Sequence, residues 1–256
     1  MDTEAQHMER DSSSGPPEGA EEGSRSTHVP DGPAASMSWG RAAFLAMLCT
    51  VALLLFSAFV LQPFLIPSGS MQPTLRVGDR VLVNKLAYRF GSEPRRGDVV
   101  VFDGTGSFVQ EPESGGDAVG ALLRGAAASL GLAEPAGSDF VKRVVGVGGD
   151  RVVCCDEQGK LQVNGAPVDE DYLHPGDRPS DVAFDIVVPD DRLWMMGDHR
   201  GNSRDSRDHL GEPGGGMVPV ERVIGRVDWL GWPLGRLGPL EGTDAFTGVR
   251  PGADHG

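Results

Sequence analysis

The chain has 256 residues and a formal net charge of −14, with 37 Asp and Glu against 23 Lys and Arg. That balance lacks the basic footprint of a nucleic-acid binder, and the length allows one or two domains with a substantial buried core. Of three cysteines, Cys49 lies in an apolar run and Cys154 and Cys155 are neighbours, so no disulfide framework can be read and only a vicinal bridge is open to them.

Residues 1–41 read as a disordered acidic tail: the first 40 carry eight Asp or Glu, two Arg, and 16 Ser, Gly or Pro. From Ala42 to Leu61 the chain runs through twenty uncharged, mostly apolar residues, enough as a helix to cross about 30 Å of hydrocarbon. The expectation is one transmembrane helix over 42–62. The run is too long and too far from the N-terminus for a cleaved signal peptide. Arg41 alone flanks it closely, whereas Arg76, Arg80 and Lys85 follow at a distance. A literal count of positive charges favours the opposite topology, but large downstream domains translocate largely regardless of charge. The N-terminus is therefore expected in the cytoplasm and residues 63–232 outside it.

Beyond the helix, valine-rich runs punctuated by turn residues predict strands over Arg80–Asn84, Gly97–Phe102, Phe140–Val147, Arg151–Cys154, Leu161–Val163, Asp185–Val188, Arg192–Met196 and Arg222–Leu230. Strands without intervening helices argue for a mostly β, antiparallel domain. Residues 103–138 interrupt the pattern with a Gly- and Pro-rich, acidic insert whose Ala118–Leu132 stretch is helix-prone and too short to span a bilayer. Residues 233–256 read as a flexible tail, beside which Trp229 and Trp232 could sit at headgroup level.

Three polar segments carry the chemistry. The first, Ser68-Gly69-Ser70-Met71-Gln72-Pro73-Thr74-Leu75, follows the apolar run and presents hydroxyls on a turn that Gly69 and Pro73 keep from becoming helix. The second is Lys142, one of three lysines and the one inside a valine-rich strand, Phe140-Val141-Lys142-Arg143-Val144-Val145-Gly146. A free lysine is neutral in about one molecule in 2,500 at pH 7, and burial is what turns it into a base. Alternation puts Lys142 and Arg143 on opposite faces. The third segment, Gly197 to Arg207, is dense in turn formers and charges, among them Ser203 and Asp205. His199 beside Asp198 leaves a Ser-His-Asp arrangement open, and an exposed Lys142 would suit a β-domain that binds peptides without cutting them. No H-E-x-x-H, C-x-x-C or G-x-x-x-x-G-K-[ST] motif gives support for a metal or nucleotide cofactor.

In this order, behind one anchor, these segments resemble the boxes of the bacterial type I signal peptidases, with Arg96-Gly97-Asp98-Val99-Val100-Val101-Phe102 similar to the strand after the nucleophile box. The resemblance covers roughly residues 42–102 and 139–230. It implies a serine endopeptidase that cleaves signal peptides from preproteins at A-x-A sites, with membrane lipid and the secretion machinery as further partners and no cofactor. Residue by residue it makes Ser70 the nucleophile and Lys142 the general base. Ser68 becomes an oxyanion donor, Ser203 the hydroxyl that orients the lysine, and Asp205, Arg207 and Arg143 a supporting ionic network. Met71 and Phe140 fall near the substrate groove. His199, where many relatives have Asn, and the long insert depart from the pattern.

Overall fold

Valine dominates the runs that Gly, Pro and Asp turns separate, and its branched Cβ suits a pleated, buried surface. In a computed structural model, which describes residues 38–109 and 137–252, these runs become twelve antiparallel-paired strands, with one long helix, α1 (Trp39–Phe59), before them. The fold is mostly β. The chain divides into two units, Met1–Ala43 and Phe44–Gly256. The acidic tail up to residue 37 and most of the insert, 110–136, lie outside the described residues.

α1 is long and apolar enough to cross a membrane, and it is the one such helix among the described residues. Its large apolar side chains, such as Phe44, Met47, Leu53 and Leu55, are exposed, which suits hydrocarbon rather than water as the surrounding medium. The helix differs from the expected span of 42–62 at both ends. It begins at Trp39, and by Leu61 the chain is already β1 (Leu61–Leu65). Pro63 is the physical reason for the early end, since it cannot continue a helix. It is tolerated in β1 because that strand is the outermost of its sheet.

The larger sheet runs in the order β1, β2 (Arg80–Asn84), β11 (Val223–Trp232), β3 (Val99–Asp103), β4 (Asp139–Val147), β9 (Arg192–Met196), β10 (Val218–Pro219), with β12 (Gly238–Pro239) also on β11. A second sheet orders β7 (Ala166–Pro167), β6 (Gln162–Val163), β5 (Arg151–Cys154) and β8 (Phe184–Val187). Val81, Val83, Val99, Val101, Val227 and Leu230 form a core with Met71 and Leu75 of the serine loop. Val145, Trp194 and Met196 pack the first sheet on Val152, Val163 and Phe184 of the second. Each fully buried side chain of this kind contributes roughly 1.5–3 kcal/mol. Cys154 and Cys155 are joined by a disulfide.

The expectation of a flexible tail from residue 233 does not hold as far as residue 252. Phe246 is buried and stacks on Tyr172 at 6.4 Å, β12 pairs with β11, and Arg236 forms an ion pair with the buried Asp79 and donates to the Thr74 carbonyl. An aromatic side chain with a pocket to fill outweighs the chain entropy of a Gly- and Pro-rich segment. Trp229 and Trp232 are half exposed.

Candidate active site

The serine loop leaves β1 through Ile66, whose N–H donates to the Asp79 carbonyl while Gly78 N–H returns to Ile66. Within it, Gln72 N–H donates to the Gly69 carbonyl and Leu75 N–H to Met71. Buried Met71 and Leu75 pin the loop to the core. Ser70 is buried in this loop and is among the residues that line the groove described below.

β3 and β4 pair with Val100 opposite Lys142, and β9 brings Met196 opposite Arg143. Lys142 is 4 % exposed and its Nζ donates to Ser70 Oγ at 2.7 Å. Ser68 Oγ lies 3.3 Å from Ser70 Oγ. Desolvation lowers the Lys142 pKa to about 8; Asp205 and Asp198 pull it up and Arg207 pushes it down, with burial the largest influence. An amine that is neutral in a sizeable fraction of molecules near neutral pH, in contact with a hydroxyl, can accept that hydroxyl's proton.

Arg143 points the other way. Its guanidinium grips Asp198 with Nε to Oδ1 at 2.8 Å and Nη2 to Oδ2 at 2.6 Å, donates to the Gly97 carbonyl at 2.8 Å, and lies 4.1 Å from the centre of the Tyr172 ring. Arg207 pairs with Asp205 at 2.8 Å, and Gly197 N–H donates to the same carboxylate at 3.0 Å. Burial pushes the Asp205 carboxyl up, but its bonds from Arg207 and Gly197 outweigh this and hold it below the usual carboxylate range.

The family model for signal peptidase, peptidase S26, matches residues 36–232. The chain belongs to the peptidase S26 signal peptidase family. It is similar to a probable signal peptidase I of Mycobacterium leprae, 38 % identical over 80 % of each chain. It is 39 % identical to a signal peptidase I of Mycobacterium tuberculosis, over 80 % of this chain and 76 % of that one. A signal peptidase I of Leptolyngbya laminosa is 36 % identical over 71 % of this chain and 74 % of its own.

In this S26 chain a groove of about 350 Å³ opens over the Ser70–Lys142 pair. Its walls include Phe64, Ile66, Met71, Val101, Phe140 and Val141, and exposed Ser68 stands at its edge. Phe140 is held by aromatic contacts with Phe102 and Phe108 at 5.9 and 5.4 Å.

Ser203 and His199 differ from the expectations set for them. The Ser203 Oγ is buried and makes no hydrogen bond to the Lys142 amine; its influence falls on the neighbouring Asp205 carboxylate, which it helps to keep charged. His199 does not form a Ser-His-Asp arrangement. Its backbone N–H donates to the Ser70 carbonyl at 3.0 Å, and its ring faces the Gly69 carbonyl and the ring of His174. Burial of Lys142 likewise removes the premise of a non-cutting peptide binder with an exposed lysine.

Sequence reasoning missed Asp198 as the partner of Arg143, Thr74 as a donor to the same carboxylate, and the buried Arg200–Glu170 ion pair. The available signal was Asp198 itself, in the same turn as Asp205. Gly197 was another unread constraint. A Cβ there would collide with the Ser203 side chain and the Ser70 carbonyl, so only a glycine lets the two serine-bearing turns come this close.

Proposed function

We propose that this chain is a membrane-anchored serine endopeptidase that removes signal peptides from secreted preproteins at the outer face of the cytoplasmic membrane, using Ser70 as nucleophile and Lys142 as general base. The observation that carries the proposal is the 2.7 Å contact from a buried lysine amine to Ser70 Oγ, with the amine's pKa brought to about 8.

Neutral Lys142 takes the Ser70 proton as Oγ attacks the scissile carbonyl. The charge that develops on the carbonyl oxygen is met by the Ser70 N–H and the Ser68 hydroxyl, donors of a kind typically worth a few kcal/mol in the transition state. The protonated lysine then gives its proton to the leaving amine. Water, deprotonated by the same amine, hydrolyses the acyl-enzyme and regenerates Ser70. Arg143 with Asp198, and Arg207 with Asp205, act through the backbone: they hold β4 and the Gly197 turn in register with the serine loop.

The groove's apolar walls suit an extended peptide with small side chains, such as Ala, at the positions facing shallow pockets, because larger groups clash there. α1 anchors the enzyme at the surface where the substrate's own apolar segment lies, which raises their effective concentration. Residues 63–232 then make up the extracytoplasmic catalytic domain. The direct test is cleavage of a purified A-x-A preprotein by the full-length enzyme in detergent. Lys142→Ala abolishes cleavage while the circular dichroism spectrum stays unchanged; activity surviving in that variant would sink the Ser-Lys pair.

A further inference from the structure

Behind the serine loop, three side chains that the proposed chemistry leaves unused converge from two turns. His174 and Asp177 lie at the two ends of a tight turn in which Asp177 N–H donates to the His174 carbonyl at 3.0 Å, with Gly176 in the left-handed region. His199 comes from the Gly197 turn. Ring nitrogens of the two histidines and a carboxylate oxygen of Asp177 all lie within 4.8 Å of one another, and all three residues are half-buried. No ligand motif is visible in the sequence because His199 follows Asp177 only after 21 intervening residues.

We propose that His174, Asp177 and His199 form a binding site for a zinc-class divalent transition metal. Two imidazoles and one carboxylate are a donor set that suits zinc, and three protein ligands leave a fourth position for water. His199 and Asp177 each make one hydrogen bond of the kind that metal-binding side chains commonly use. His199 Nδ1 stands 3.3 Å from the Gly69 carbonyl, so an Nδ1–H donated there leaves Nε2 with its lone pair free for a metal. Gly201 N–H donates to Asp177 Oδ2 at 3.2 Å, fixing one carboxylate oxygen and leaving acceptor capacity on the group.

The histidine rings are stacked at 3.9 Å with 11° between their planes. An ion has to lie in the plane of each imidazole it binds, with ligand atoms about 3.3 Å apart around a tetrahedral centre. Binding therefore fans the rings apart and draws the two turns together. Because His199 also bonds the Ser70 carbonyl through its own N–H, the metal ties the 174–177 turn to the loop that carries the proposed nucleophile. The site stands on its own donors and does not depend on the Ser-Lys reading.

Cobalt(II) is the probe, since it occupies zinc sites and its visible d–d absorption reports ligand geometry. Titration of the full-length protein in detergent is expected to give one equivalent of bound cobalt, displaced by zinc, and a thermal midpoint that rises with zinc concentration. His174→Ala and Asp177→Asn each weaken binding about 10-fold or more, as does His199→Asn. Circular dichroism in metal-free buffer checks that each variant is folded, and three independent substitutions let the others decide if one is not. Absence of a d–d band overturns the site. So does a band of undiminished affinity in the folded variants, which would assign the metal to the remaining histidines, His7, His28, His209 and His255.

Discussion

Lys142 is held where a lysine destabilises the fold. Its amine titrates near 8 in the folded protein and near 10.5 when the chain is unfolded. The folded pKa is the lower of the two, so the cost of stripping or burying the proton is fully present below pH 8 and fades as pH rises from 8 to 10.5. At pH 7 it amounts to about 3 kcal/mol for a shift of this size. Lys142→Met, of similar volume, loses a hydrogen bond of about 1 kcal/mol to Ser70. The variant is expected to be inactive yet more stable by about 2 kcal/mol at pH 7, with the advantage shrinking toward pH 10. Urea unfolding at both pH values checks this; equal or lower stability at pH 7 contradicts a strongly desolvated lysine. The same pKa predicts that cleavage by the wild-type enzyme climbs with pH through a midpoint near 8, since the neutral amine is the reactive form in the proposed mechanism. A flat profile from pH 6 to 10 would exclude it. The lysine was legible because lysines are scarce in this chain and one of them sits in a valine strand. Its neighbours were not, since Asp198 reaches Arg143 across 55 residues and nothing in local spacing encodes that contact.

At the scale of elements, the long strand β4 joins two ionic environments by alternation alone. One face delivers Lys142 to the groove and the other sends Arg143 into a fully enclosed pair with Asp198, which has no exposed side-chain surface. Replacing both partners with apolar groups could be tolerated, but removing one strands a charge in low dielectric. Asp198→Ala is therefore expected to cost about 3–5 kcal/mol in stability, seen as a lowered urea midpoint, and to reduce cleavage by loosening the Gly197 turn. A neutral effect on the midpoint would mean that Arg143 finds another partner. Most central strands could be read from valine and turn residues. β1 could not, because its LQPFL sequence follows an apolar run and contains a proline, and it becomes a strand only through pairing with β2. The 233–252 segment was misread for a related reason: its order comes from Phe246 and Arg236 meeting Tyr172 and Asp79, contacts formed by tertiary structure and invisible to composition.

For the molecule as a whole, the proposed function depends on which side of a membrane carries the groove. α1 is bracketed by charge on one side only at close range: Arg41 stands in its first turn, and the next basic residue after the helix is Arg76. Basic residues beside a span favour the cytoplasmic face, and a large domain after the span weakens any vote from more distant charges. The acidic composition of residues 1–40 adds little either way, because Asp and Glu scarcely influence orientation. On the proposed orientation Arg41 marks the cytoplasmic side of α1 and the Ser70 groove lies outside. Protease added to intact cells or spheroplasts should digest the chain beyond residue 64 while an epitope fused to the N-terminus stays protected until the membrane is opened. Full protection of the domain, with loss of the N-terminal epitope, would reverse the orientation and with it the proposed site of cleavage.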